Sequence, residues 1–165
     1  MKFHICILLF VSLCVLNTNA QSFPDKCAGK WSGMMYMYKH GAIRDSVKVV
    51  LNITKIKDVP AWNWKTEYLS DKMPMTKDYI LRLKDASKQW YITDEGGGVE
   101  LNDYVFGNKL YTIFETEGVM LTSSYELIND KLVFEVTSGK KIVGTNNGIT
   151  NYSVENLQRV ELMKD

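Results

Sequence analysis

Gly29-Lys30-Trp31-Ser32-Gly33-Met34-Met35-Tyr36-Met37-Tyr38 is the stretch that decides how this chain is read. A two-residue period puts Trp31, Gly33, Met35 and Met37 on one face, and Ser32, Met34, Tyr36 and Tyr38 on the other. Both faces are apolar, so the alternation does not choose an inside. The tryptophan suggests one. We read the stretch as the first strand of a closed β-barrel with Trp31 plugging one end.

Upstream, Lys2 forms a short basic region and Ile5 to Leu16 an apolar run, followed by Asn17-Thr18-Asn19-Ala20 with small residues where a signal peptidase reads. The run is shorter than the ~20 apolar residues a bilayer span needs. This is the pattern of a secretory signal peptide, residues 1–20, cut after Ala20. The expected product is a secreted or periplasmic single domain, residues 21–165, with no membrane span after cleavage. Leu13 before Cys14 is too large for lipid attachment at that cysteine.

Removing Lys2 from 20 basic residues leaves them equal to the 19 acidic ones. A neutral chain without a basic block has no electrostatic footprint for nucleic acid or an anionic membrane. Cys6 and Cys14 leave with the leader, so Cys27 stands alone and no internal disulfide forms. Cys27 is either a small buried hydrophobe or a thiol available for an intermolecular bond.

Downstream of Tyr38 the chain alternates and turns. Val47, Val49, Leu51 and Ile53 share a face opposite Lys48, Asn52 and Thr54, the pattern of a half-buried strand over residues 46–56. Further strands are expected over 62–69, 76–84, 89–94, 99–106, 109–116, 119–127, 132–137 and 149–163, the last with a bulge near Glu155-Asn156. Lys39-His40-Gly41, Gly107-Asn108, Glu117-Gly118, Asn129-Asp130, Ser138-Gly139-Lys140-Lys141 and Asn146-Asn147-Gly148 read as turns. Residues 21–26 read as an arm across one end. No ten-residue helix is expected. Short turns at this spacing imply an antiparallel up-and-down meander of about eight to ten strands. An open meander would leave two bare edges, and closure into a barrel removes them.

Gly29-Lys30-Trp31 after a signal peptide resembles the Gly-x-Trp of lipocalins and the wider calycin group. The resemblance implies an arginine late in the barrel packed over that tryptophan, and Arg159 stands in the right place. It also implies a small hydrophobic ligand held inside the barrel. The chain departs from typical animal members. It lacks the midway Thr-Asp-x-x-Tyr pattern, whose nearest echo is Thr93-Asp94-Glu95, and it lacks the usual disulfide. It resembles a divergent, bacterial-style member.

The aromatic and methionine side chains are the candidate ligand contacts: Met35, Met37, Trp64, Tyr68, Tyr79, Trp90, Phe114, Tyr125 and Phe134. Facing inward, they would line a pocket for a flat or greasy ligand. They would equally fill a solid core, and the sequence leaves both open. No cofactor and no metal site is expected, because His40 is the single histidine after the leader and sits in a turn. Asp94, Glu95, Glu100 and Asp103 cluster around Gly96-Gly97-Gly98 without EF-hand spacing. An enzyme using Asp94 and Glu95 is the least favoured of three readings. Ligand binding without covalent chemistry comes first, and a filled barrel acting as an interaction module comes second. Oligomeric state is not written in the chain.

Overall fold

A computed structural model of the chain describes residues 21–144 and 148–165. The expected signal peptide and Asn146-Asn147 lie outside the described residues. Ten strands follow a five-residue helix, α1 (Phe23–Cys27). They are β1 (Gly29–Lys39), β2 (Ala42–Lys55), β3 (Ala61–Leu69), β4 (Met75–Asp85), β5 (Trp90–Gly96), β6 (Val99–Phe106), β7 (Lys109–Thr116), β8 (Val119–Ile128), β9 (Lys131–Ile142) and β10 (Asn151–Lys164). Each strand pairs antiparallel with its neighbour in sequence, and β1 pairs with β10, so the meander closes into a barrel. The expected fold class, an all-β up-and-down barrel, is the one found.

Local chemistry explains the tight turns. His40 and Gly41 both have positive φ, as do Glu117 and Gly118. Paired positive φ is the turn geometry that matches the twist of a hairpin. The expected bulge near Glu155 is present as a register shift between Val154 and Asn156.

Three elements differ from expectation. Residues 23–27 are helical, with Ser22 capping by accepting from the Asp25 N–H at 3.3 Å and Pro24 in the first turn. β2 begins at Ala42, four residues early, because β1 pairs with it up to the His40-Gly41 turn. The expected turn at Ser138-Gly139-Lys140-Lys141 is strand. Gly139 serves a close approach there: a Cβ on it would lie 2.5 Å from the Ser153 carbonyl oxygen of β10.

Trp31, Met35, Val49, Leu51, Ile53, Trp62, Trp64, Leu81, Tyr91, Leu132, Val160 and Leu162 form the core with Phe23 and Cys27. This packing sits toward the end where α1 lies. Trp31 is buried at this end. Its Nε1–H donates to the Cys27 carbonyl at 2.8 Å. Asp25 binds the helix to the strands: its Oδ1 accepts from Trp62 Nε1 at 2.9 Å and from Lys55 Nζ at 3.0 Å. Burial alone would raise the Asp25 pKa, but hydrogen bonds from Ser22, Lys55 and Trp62 outweigh it and hold the carboxyl below its usual range. Burial pushes the Cys27 thiol up to about 12, and Cys27 has no exposed surface. The intermolecular option for this residue is thereby removed.

Arg159 does not close the barrel. It pairs in register with Tyr36 on the outer face and donates to Glu135 and to Glu161, each at 2.9 Å. The inward positions of β10 are its neighbour Val160, then Leu162 and Lys164, by strand alternation. Lys164, the register partner of Trp31, places its Nζ 5.2 Å from the indole centroid. The cation over the tryptophan exists, but the last inward residue of β10 supplies it.

Candidate functional site

The packing thins toward the opposite end, where the His40-Gly41, Gly97-Gly98 and Glu117-Gly118 turns lie. A cavity of about 110 Å³ remains there, lined by inward residues of β3 to β9. Its walls are Tyr68, Tyr79, Phe114, Tyr125 and Phe134, with Leu101, Leu121 and Val136. Thr66, Thr93, Thr112, Ser123, Lys77 and Glu95 supply polar groups. A cavity of about 150 Å³ holds a benzene ring. The enclosed space is therefore smaller than one ring needs, and takes the end of a ligand rather than a long acyl chain.

The aromatic wall is pre-organised. Tyr125 stacks on Phe134 with centroids 4.3 Å apart, and Trp64 meets Tyr125 edge-on at 5.1 Å. Burial raises the pKa of all three cavity tyrosines, with Tyr68 reaching about 12. They are neutral phenols at physiological pH.

One carboxylate lies beneath this wall. Asp103 is 1% exposed and points inward between Leu101 and Val105. Thr93 Oγ1 donates to its Oδ2 at 2.7 Å, and Thr112 Oγ1 donates to its Oδ1. Burial raises the Asp103 pKa, the threonine hydrogen bonds work against that, and the nearby Glu95 charge adds to it. Trp64 Nε1 is the single buried side-chain polar atom without a partner among the described residues.

A second depression, of about 600 Å³, lies at the rim. β3 pairs with β2 only from Lys48 onward, so Ala42 to Val47 run past it. Met34, Met37, Val47, Leu69, Met73 and Met75 line the resulting groove, with Tyr68 at its inner side. Tyr68 borders both spaces. Methionine suits such a surface because its thioether arm adapts to irregular shapes.

Of the nine expected contacts, Tyr68, Tyr79, Phe114, Tyr125 and Phe134 line the cavity, and Met37 lines the groove. Met35 and Trp64 are buried in the core instead. Trp90 does not face the interior at all. Tyr91 is the inward residue of that pair, so alternation sends Trp90 outside. There its ring stacks on Tyr104 at 5.9 Å and its Nε1 donates to Asn102 at 3.0 Å. Asp94 and Glu95 diverge by the same rule. Asp94 faces out toward Arg82, at 3.8 Å, whereas Glu95 lines the cavity. The two carboxylates lie on opposite faces of β5.

Sequence reasoning missed Thr66, Thr93, Thr112 and Ser123, and it placed Asp103 only in the acidic cluster around Gly96-Gly97-Gly98. Fixing Tyr91 as inward would have found Thr93 and Glu95 by counting in twos. Among the described residues no group of three or more His, Cys, Asp or Glu is placed to hold a metal, and no helix is long and apolar enough to cross a membrane.

No family model matches the chain, and no curated protein matches it. Among solved structures it is similar to a mutant of fluorescent protein UnaG, at 13% identity with a TM-score of 0.47, over 85% of this chain and 96% of that one. The barrel is established by the pairing of β1 with β10, independently of that likeness.

Proposed function

We propose that this protein is a secreted, calycin-like barrel that binds a compact small molecule and performs no covalent chemistry. The observation that carries the reading is the cavity: a barrel packed at one end keeps about 110 Å³ open at the other, walled by stacked aromatics and bordered by Tyr68. Pockets for drug-sized ligands span about 300–1,000 Å³. The bound part of the ligand is therefore small, and any remainder extends into the methionine-lined groove. Secretion is supported by the leader pattern, and a binding role by the aromatic wall of the cavity.

The test is a panel of single-ring compounds titrated into the mature protein, read by tryptophan fluorescence and calorimetry. Trp64 borders the wall and reports occupancy. Ser123→Phe places a ring in the cavity and abolishes binding if the cavity is the site. Equal binding by this variant and the wild type overturns the reading.

One observation favours a second reading. Phe106 and Ile113, on the outer face of β6 and β7, are 66% and 68% exposed beside Tyr104 and Tyr111. An interaction module would use that face. Sedimentation over a concentration series separates the readings, because the module predicts association that Phe106→Ser and Ile113→Ser remove.

A further inference from the structure

We infer that the split in the barrel wall between β6 and β7 takes an added strand: an extended peptide that alternates apolar and basic residues. This does not depend on the cavity holding a small molecule.

The split follows from the register. β7 pairs all eight of its residues with β8, but only Lys109 to Thr112 pair with β6, against Phe106 to Asp103. Beyond Asp103 and Thr112, toward the open end, Val99 to Asn102 and Ile113 to Thr116 remain strand without pairing to each other. The side chains supply a cause. Continuing the register would set Glu100 opposite Glu115 on the outer face, and like charges directly opposite are destabilising. Each glutamate is held by another group instead. Arg82 binds Glu100, and the Tyr152 hydroxyl donates to Glu115 at 3.1 Å.

Two strand edges facing one gap are a template for a further chain, because backbone N–H and C=O groups that point into the gap lack a ladder partner. Each unpaired edge is about 13 Å long at ~3.3 Å per residue. The segment that fits is short, about five residues.

The side chains beside the gap say what that segment carries. On the inner side Leu101 and Phe114 flank it, and both line the cavity. An inward side chain of the added strand lies between them and reaches a space that suits a branched aliphatic end. On the outer side Asp94, Glu100 and Glu115 form one row across β5, β6 and β7, and Arg82 is the cation that pairs with the first two. A lysine placed between Glu100 and Glu115 removes their repulsion. The next outward position lies beside the exposed Ile113, where the alkyl stem of a second lysine packs. Apolar inside and basic outside thus alternate with the two-residue period of a strand.

The probe is an acetylated and amidated peptide of five residues, Val-Lys-Val-Lys-Val, added to the mature protein. Affinity is read by calorimetry and backbone pairing by amide hydrogen exchange. The expected result is that the peptide slows exchange of amides within residues 99–102 and 113–116 about tenfold or more. A peptide with glutamates in place of the lysines, and the lysine peptide with its valine nitrogens methylated, each bind about tenfold or more weakly. Glu115→Lys sets a cation opposite Glu100, so the two edges pair with each other: its gap amides are protected without peptide, and peptide affinity falls about tenfold, with urea midpoints confirming that the variant is folded. If the methylated peptide binds as tightly as its parent, or binding leaves the gap amides unchanged, attraction of charges alone is at work and the inference is overturned. It is equally overturned if the gap amides of the free wild type are already protected, which means a closed wall, or become protected as protein concentration rises, which means a second copy in the gap.

Discussion

Gly33→Ala probes the seam that turns this sheet into a barrel. Gly33 lies on the inward face of β1 opposite β10, and its φ is not in the left-handed region, so backbone freedom does not explain the residue. Space does. A Cβ built there would lie 2.4 Å from the Glu161 carbonyl oxygen and 3.0 Å from Val160 Cγ2. The nearer atom is backbone and cannot swing aside, so the β1–β10 seam would have to open by about half an ångström. Overpacking of this kind costs about 1–3 kcal/mol. Alanine also narrows the unfolded ensemble, which returns about 0.4–1 kcal/mol. The net expectation is a loss of about 1–2 kcal/mol. With a urea m-value of about 1–3 kcal/mol/M, the midpoint falls by roughly 0.5–1 M at unchanged m. Ser32→Ala is the control. Ser32 faces out and donates to the exposed Asp165 at 2.7 Å, so its removal shifts stability by about 0.5 kcal/mol or less. A Gly33→Ala midpoint equal to or above that of the wild type would refute the close approach at this seam.

Trp31→Phe keeps the plug but leaves the buried Cys27 carbonyl without its donor, and thermal melts should show a loss of about 1–3 kcal/mol. Arg159→Ala removes only half-exposed ion pairs and costs about 1 kcal/mol or less. Lys164→Met tests the cation over Trp31: the tryptophan emission of Lys164→Met shifts, and that of Arg159→Ala does not. Asp103→Asn has a pH signature. The folded pKa of Asp103 is raised, so its contribution is best below the unfolded pKa and worsens as pH rises through the folded one. Urea midpoints at several pH values should show the variant gaining on the wild type from about pH 4 upward, and a constant difference would refute the assignment. Asp25→Asn should do the reverse. Its folded pKa is lowered, so the wild-type advantage is present above the unfolded value and fades as acid protonates the carboxyl.

The barrel was legible because β2, β4 and β7 to β9 alternate and short turns separate them, and these are local signals. The first helix was missed because five residues are too few for a 3.6-residue period to show, and Asp25 is held by Trp62 and Lys55 across the fold. Arg159 was misplaced by one step of a two-residue period. With Val160 and Leu162 inward, Arg159 must face out, and only the register against Trp31 reveals Lys164 as the cation. Trp90 was misplaced for the same reason, since Tyr91 beside it is equally aromatic and hydrophobicity could not choose between them.

The cavity itself was hidden for a different reason. Searching for a pocket by its aromatic residues finds the walls, but small residues make the hollow. At the closed end the inward side chains are large: Trp62 and Trp64 on β3, Tyr91 on β5, Leu110 on β7. One or two steps further along the same strands the inward residues shrink to Thr66, Thr93, Thr112 and, on β8, Ser123. Four small hydroxyl residues at one level of a barrel leave volume that Tyr125 and Phe134 do not fill. The same residues bring hydroxyl groups into the interior, where a polar atom without a partner is costly. Two of them meet that cost by donating to Asp103, which turns their free lone pairs toward the cavity. The residues that open the space therefore also make it partly polar. Trp31 takes no part in this: it explains why one end is sealed, and the threonines explain why the other is not.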